Sequence, residues 1–509
     1  MPRLLVLLLI FCLMTAGLAS CATGWGNPRI ANQENPSKAQ PILATPSPAP
    51  TMPPPPQQKT PLPAFEPTPT QTQGESPALP FYQLTAALNY NQHYLAVDEK
   101  IRYTNRQPAP LTDLRLMVDP LYYPEVFNLK DMRWGDNQPV SDYQIEPGQI
   151  WINLSQPLSP GEELELSLNY ELFMPSPQPS AEVRPIPFGY TARQINFVDW
   201  YPFIPPYIPG EGWLAHQAGF FGEHLVYEIA DFEVNIHLSE AAPEVILAAS
   251  ASAIRDGTWY RYQHKAARNF AWSASPDYQV YTTTVGETII QSYTFPYHAA
   301  AGQAALETTA EALALFNDLY GAYPRSLLSV VEADFLDGME YDGLYFLSNG
   351  FYNLFQGTPG EYLVAIAAHE TAHQWFYALV ANDQALEPWL DEALCTYHER
   401  IYYEELHPEA LDWWWSYRVN YYQPHGWVDG NIYNPEGYRA YRDAVYLNGA
   451  RFLEDLRIEI GDNAFFDFLS DYVSQMKGQI ATAEIFFNIL NKHTTADLSE
   501  LVKAYFKLR

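Results

Sequence analysis

Residues 361–397 read EYLVAIAAHETAHQWFYALVANDQALEPWLDEALCTY, and the spacing within this stretch decides the rest of the chain. His369-Glu370-Thr371-Ala372-His373 is an HExxH pattern in a run that has no Gly or Pro from Glu361 to Glu387. Positions four apart share a helix face, so both imidazoles can address one metal ion. Glu370 follows the first histidine and lies toward the open side of such a site, where a carboxylate can take a proton from water. Pro388 suits the start of a second helix, Trp389-Leu390-Asp391-Glu392-Ala393-Leu394, which brings Glu392 to the site. Two histidines and one carboxylate leave the fourth zinc position open, as a catalytic centre requires, with one Zn2+ per chain.

Eighteen residues separate His373 from Glu392. The pattern His369-Glu370-x-x-His373-x18-Glu392 with its WLDEAL context resembles the aminopeptidase N-type zinc metallopeptidases, the membrane alanyl aminopeptidase family of gluzincins. Thermolysin-like relatives have one more residue in that gap. Two further segments extend the resemblance. Asp337-Gly338-Met339-Glu340-Tyr341 is similar to the family's GxMEN motif, with Asp in place of the first Gly and Tyr in place of the Asn. The resemblance implies an edge strand that pairs with the substrate backbone, with Gly338, Met339 and Glu340 binding substrate and Glu340 holding its free α-amino group. Ala444-Val445-Tyr446-Leu447-Asn448-Gly449-Ala450 resembles the VYxKGA segment, with Asn448 in place of Lys. It implies that Tyr446 donates its hydroxyl to the developing oxyanion. Glu399, seven residues after Glu392, is placed to orient a ligand.

The composition is compatible with that chemistry. The 509 residues hold 47% hydrophobic and 17% charged side chains, the proportions of a globular protein with more than one core. The balance of 28 basic against 59 acidic residues, net −31, argues against nucleic acid and against electrostatic binding to anionic lipid. The three cysteines, Cys12, Cys21 and Cys395, provide no disulfide framework, and Cys395 reads as a small buried residue of the ligand helix.

Toward the N-terminus, residues 1–20 read as an export signal, and Leu18-Ala19-Ser20-Cys21 resembles a bacterial lipobox. The expectation is a lipoprotein acylated at Cys21 and held by that lipid outside the cytoplasm on the bacterial membrane. Residues 21–79, rich in Pro and including Pro53-Pro54-Pro55-Pro56, read as a tether reaching on the order of 50–150 Å. Residues 80–286 alternate in short runs, such as Leu164-Glu165-Leu166-Ser167-Leu168-Asn169-Tyr170, and predict an antiparallel β sandwich-like domain. Residues 287–509 open with the helical stretch Tyr297–Tyr320 and end in short amphipathic helices.

The fold class expected is α+β, the second domain being thermolysin-like, mainly helical with a small sheet. The large C-terminal helical domain, which covers the cleft in many family members, is expected to be absent. The aromatic run 407–437, with Trp413-Trp414-Trp415 and Trp427, reads as packing under a long connection. What the resemblance implies is a zinc aminopeptidase acting on peptide substrates. An endopeptidase on the same scaffold and a non-catalytic lipoprotein binding module are the alternatives.

Overall fold

The sheet that carries the site is shared between two hydrophobic cores. The computed structural model describes residues 78–176, 186–239 and 244–507, so the expectations for the signal peptide, Cys21 and nearly all of the tether lie outside the described residues. The first domain is built on a seven-stranded sheet in the order 254–256, 259–267, 230–238, 81–89, 94–104, 163–173, 127–134. A three-stranded sheet (111–117, 149–158, 143–146) and a four-stranded sheet (246–249, 272–275, 195–197, 189–190) accompany it. In Phe81–Asn89 every second side chain is buried, which is the signature of a strand with one face on a core. The sheet differs from the antiparallel expectation at one place. Phe81–Asn89 pairs in parallel with Ala230–Leu238, because strands so far apart in sequence are not joined by a hairpin and either direction is open to them.

The second domain's sheet has five strands, ordered 279–285, 288–294, 327–333, 344–348, 338–341. The division expected between Gly286 and Glu287 thus falls inside the turn of a hairpin whose two strands both belong to this sheet. Both faces are covered. Tyr345 and Leu347 of Leu344–Ser348 enter the helical core, while Leu344 and Phe346 enter the core of the β domain. The same alternation governs the outermost strand, Gly338–Tyr341: Met339 and Tyr341 pack into the β-domain core, so Gly338 and Glu340 face the other way.

Helix Ala299–Tyr320 lies on the helical side of the sheet, followed by Tyr362–Ala372 and Trp389–Leu406. All ten residues Leu363–Ala372 are buried, which explains why this helix is apolar on every side. Trp389 fills an aromatic pocket of Phe452, Phe486 and Phe506 and fixes the start of the next helix. The helical segment from Tyr438 to Ile460 is not uniform. It runs α over Tyr438–Arg442, widens to a π-helix over Asp443–Asn448, and resumes as α over Gly449–Ile460. Gly449 is required there, since a Cβ would stand 2.4 Å from the Cβ of Ala393 on the ligand helix. Among the described residues no helix is long and apolar enough to cross a membrane.

Candidate active site

His369 and His373 close the helix Tyr362–Ala372, His373 being its C-cap, and Glu392 lies in the first turn of Trp389–Leu406. Their ligand atoms converge. His369 Nε2 lies 3.1 Å from His373 Nε2 and 3.2 Å from Glu392 Oε2, and His373 Nε2 lies 3.6 Å from Glu392 Oε2. A tetrahedral ion with bonds near 2.0–2.1 Å separates its ligand atoms by about 3.3 Å. The opposite ring nitrogens fix the tautomers. His369 Nδ1 donates to Glu399 Oε1 at 3.0 Å and His373 Nδ1 donates to the Phe376 carbonyl at 3.1 Å. Both Nε2 atoms therefore present lone pairs to the same point, an arrangement that repels without a cation and fits zinc with it.

Glu399 is itself held by three donors: Arg418 Nη2 at 2.7 Å, Arg418 Nε at 2.9 Å and Trp414 Nε1 at 2.8 Å. Burial alone would raise its pKa, but Arg418 and the His369 hydrogen bond outweigh that and hold it below the usual carboxylate range.

Glu370 is buried, and its Oε2 has no hydrogen-bond partner among the described residues. Burial pushes its pKa well up, with Glu340, Glu392 and Asp337 adding to the effect and His373 opposing it. A raised carboxylate pKa suits a base that must also return its proton. Its carboxylate presses on the edge strand: a Cβ at Gly338 would come within 2.0 Å of Glu370 Oε1 and 2.8 Å of Ile366 Cγ2. Glycine at 338 is what lets the strand pass this close.

Glu340 faces the same cavity. A carboxylate oxygen of it, a ring nitrogen of His373 and a carboxylate oxygen of Glu392 all lie within 4.8 Å of one another. Gln384 Nε2 donates 2.9 Å to Glu340 Oε1 and 2.9 Å to Asp391 Oδ2, and Asn382 Nδ2 donates to Asp391 Oδ1 at 3.1 Å. Burial raises the Glu340 pKa; His373 opposes this and Glu392 reinforces it. The site therefore gathers more negative charge than its own residues neutralise, which suits a cationic occupant in addition to the metal.

The remaining expected residues divide. Met339 turns its side chain into the β-domain core, so only its backbone is available to a substrate. Tyr446 reaches the site on the π-helical turn, a deformation found often at functional positions, and its hydroxyl donates to Glu392 Oε1 at 2.6 Å. Its pKa is well raised, by burial first and Glu392 second, so it stays a proton donor. Cys395 is fully buried beside Phe376. Asp337 adopts φ 111, a conformation that favours glycine, and its Oδ2 accepts from Tyr438 at 3.0 Å. It does not continue the strand, so strand alternation does not set where its side chain points.

Sequence reading did not find Gln384, Asp391, Arg418 or Trp414 as parts of the site. An Asp immediately before the ligand Glu392 was the one local signal available.

Fold and donor set together have the form of a gluzincin site: two histidines and a glutamate from consecutive helices, with Glu370 on the first. In comparison with known proteins, residues 304–505 match the Peptidase family M1 domain. That part of the chain is similar to M1 peptidase domains, and the likeness supports zinc as the metal. The chain is 25% identical over 236 residues to "Probable aminopeptidase 2" of Sulfurisphaera tokodaii, covering 43% of this chain and 30% of that protein. It is 26% identical over 240 residues to "Aminopeptidase M1-B" of Oryza sativa subsp. japonica, covering 44% and 27%. The matched part thus spans less than a third of the length of these curated relatives. An M1 zinc metallopeptidase from Deinococcus radiodurans superposes with a TM-score of 0.59 at 19% identity, over 84% of this chain and 94% of that one, and so shares the fold.

Proposed function

We propose that this protein is a zinc aminopeptidase that removes N-terminal residues from peptides. The observation that carries the reading is Glu340, a buried carboxylate on the free edge of a sheet, facing the same cavity as the base Glu370 and the three ligands. A peptide laid along Gly338–Tyr341 finds backbone partners there, and its terminal ammonium finds Glu340. The anchor and the base sit two residues apart on that strand, since Glu370 abuts Gly338. That leaves room for about one residue between the amine and the bond attacked.

His369, His373 and Glu392 would hold the metal, and zinc bound there supplies Lewis acidity for water and for the scissile carbonyl. Glu370 Oε2 accepts the proton of the attacking water and delivers it to the departing amine nitrogen. Tyr446 exchanges its hydrogen bond to Glu392 for one to the oxyanion. Glu399, locked by Arg418 and Trp414, keeps the His369 ring oriented.

The test compares a free peptide with its N-acetylated form. Acetylation is expected to lower kcat/KM at least about a hundredfold, the scale of a lost charge-assisted contact. Glu340→Ala should cost a similar factor on the free peptide and little on the acetylated one. Equal cleavage of both at an internal bond would replace this reading with the endopeptidase one. We also propose that lipid on Cys21 holds the enzyme outside the cytoplasm, on the strength of the Leu18–Cys21 sequence. Cys21→Ser should then release it from membranes, and membrane retention of that variant would refute the anchor.

A further inference from the structure

The cleft does not stop at the catalytic base. Along helix Tyr362–Ala372, residues Tyr362, Ile366 and Glu370 follow each other at intervals of four and share a face. Ile366 and Glu370 both border Gly338 of the edge strand. If Glu340 takes the substrate's amine and Glu370 works at Gly338, the chain beyond the cleaved bond continues past Gly338, over Ile366, toward Tyr362. There it meets a groove of about 430 Å³, walled on one side by Phe351 and Leu354 and on the other by Trp413, Tyr417, Tyr421 and Tyr422. Tyr362, which lines the groove, stands on the same helix as Ile366 and Glu370. Tyr362 and Tyr422 share a hydrogen bond between their hydroxyls at 3.0 Å, and Tyr422 lies 4.0 Å beneath the Arg442 guanidinium, next to Asp443 on the turn that carries Tyr446.

Its walls are not core. Leu354, Tyr417 and Tyr421 are 72%, 57% and 71% exposed, while Trp414 of the same segment is buried against Glu399. A segment that served only to cover the ligand helix would bury its large rings rather than leave Tyr417 and Tyr421 exposed beside a groove.

We propose that this groove binds the downstream part of the peptide substrate, selecting for aromatic or large aliphatic side chains three to four residues past the cleaved bond. Tyr362 lies two helical turns from Glu370, about 12 Å. An extended chain covers that span in about three and a half residues at 3.3–3.4 Å each. The fourth and fifth residues of the substrate therefore reach the aromatic walls, with rings stacking on Tyr421 and Trp413. The preferred substrate is accordingly an oligopeptide of five or more residues rather than a dipeptide. The proposal rests on the aminopeptidase reading for its direction, since Glu340 defines which end enters first.

The experiment uses peptides of two to six residues that share their first two, with Phe or Gly at the fourth and fifth positions. With the zinc-loaded protein, kcat/KM is expected to rise at least about tenfold from the dipeptide to the Phe-containing pentapeptide, and Gly there should remove the gain. The double variant Leu354→Ala/Tyr421→Ala should lose the gain and keep the dipeptide rate. Equilibrium binding of the same peptides to the Glu370→Gln protein gives a readout without turnover and should show the same dependence on length and side chain. Rates and affinities flat across the series would overturn the proposal. So would a double variant that hurts dipeptide and pentapeptide equally, or a dimer in solution that the double variant dissolves, which would assign the groove to a second copy. Length-dependent binding with no cleavage of any peptide would sink the aminopeptidase reading and leave the groove standing.

Discussion

The metal end and the amine end of this site are mounted in opposite ways. At the metal end, His369, His373, Glu392 and Glu399 sit on two helices packed in one core. Glu399 there is matched by Arg418. At the amine end, Glu340 hangs from an edge strand whose other face is buried in the first domain. The strand's turn is held by that domain: Asp342 N donates to Asn269 Oδ1 at 3.1 Å, and Arg268 N donates to Asp342 Oδ2 at 2.9 Å. Arg268 also reaches the carbonyls of Tyr227, Ala378, Leu379 and Gln479, so it ties the strand of one domain to the segment after the second histidine ligand. The three proposed metal ligands thus rest on one domain, whereas the proposed amine anchor rests on two.

The largest effect should come from breaking the metal end at its base. Glu370→Gln keeps the side chain's shape and leaves all three ligands intact. Elemental analysis should still find about one zinc per chain, while turnover falls at least about a thousandfold. A variant that loses its metal would mean that Glu370 supports the ligands rather than the reaction.

A smaller loss is expected at Tyr446, whose hydroxyl already contacts a ligand carboxylate. Tyr446→Phe should lower kcat by two to three orders of magnitude, about the value of an oxyanion donor, with KM little changed. If steady-state kinetics showed kcat intact, the 2.6 Å bond to Glu392 would be the residue's whole role.

The two ends also differ in how far the sequence revealed them. Helical ligands four apart, and a third on the next helix, are local patterns, so His369, Glu370, His373 and Glu392 were legible from spacing alone. Which way a strand residue faces depends on what covers each side of the sheet, and that is set by contacts far away in the chain. Met339 was read as a substrate contact from its motif, yet the β-domain core takes its side chain. Asp337 replaces a motif glycine and still occupies a glycine-like φ of 111, which no pattern of polarity announces. The seven-stranded sheet was visible as alternation. Its parallel pair was not, since alternation is the same in both directions.

The smallest effect on activity, and the one that most sharpens the contrast, is expected at Asp342. This residue follows the motif, lies in the turn after Tyr341, and is fully buried. Arg325 grips its carboxylate with two hydrogen bonds of 2.8 Å, and His264 Nε2 lies 3.1 Å from its carbonyl. Burial would raise its pKa, but Arg325 and His264 dominate and depress it well below the ordinary value. A carboxylate whose folded pKa is depressed contributes stability that is fully present above the unfolded value, near pH 4, and is lost as pH falls from there toward the folded pKa. Asp342→Asn should therefore cost about 3–5 kcal/mol at pH 7, the scale of a broken buried ion pair. The gap from the wild-type protein should shrink as the medium is acidified below about pH 4. Denaturant titrations at pH 7 and near pH 3.5 measure both. Because Gln374 still holds the turn from the catalytic side, accepting from Gly343 N and donating to the Tyr341 carbonyl, the site itself should survive. Zinc content and kcat should stay near wild type, while KM for free peptides rises by less than about tenfold and KM for acetylated ones does not move. If KM rose equally for both kinds of peptide, the turn would be setting the whole cleft rather than the amine anchor, and the division between a one-domain metal end and a two-domain amine end would have to be given up.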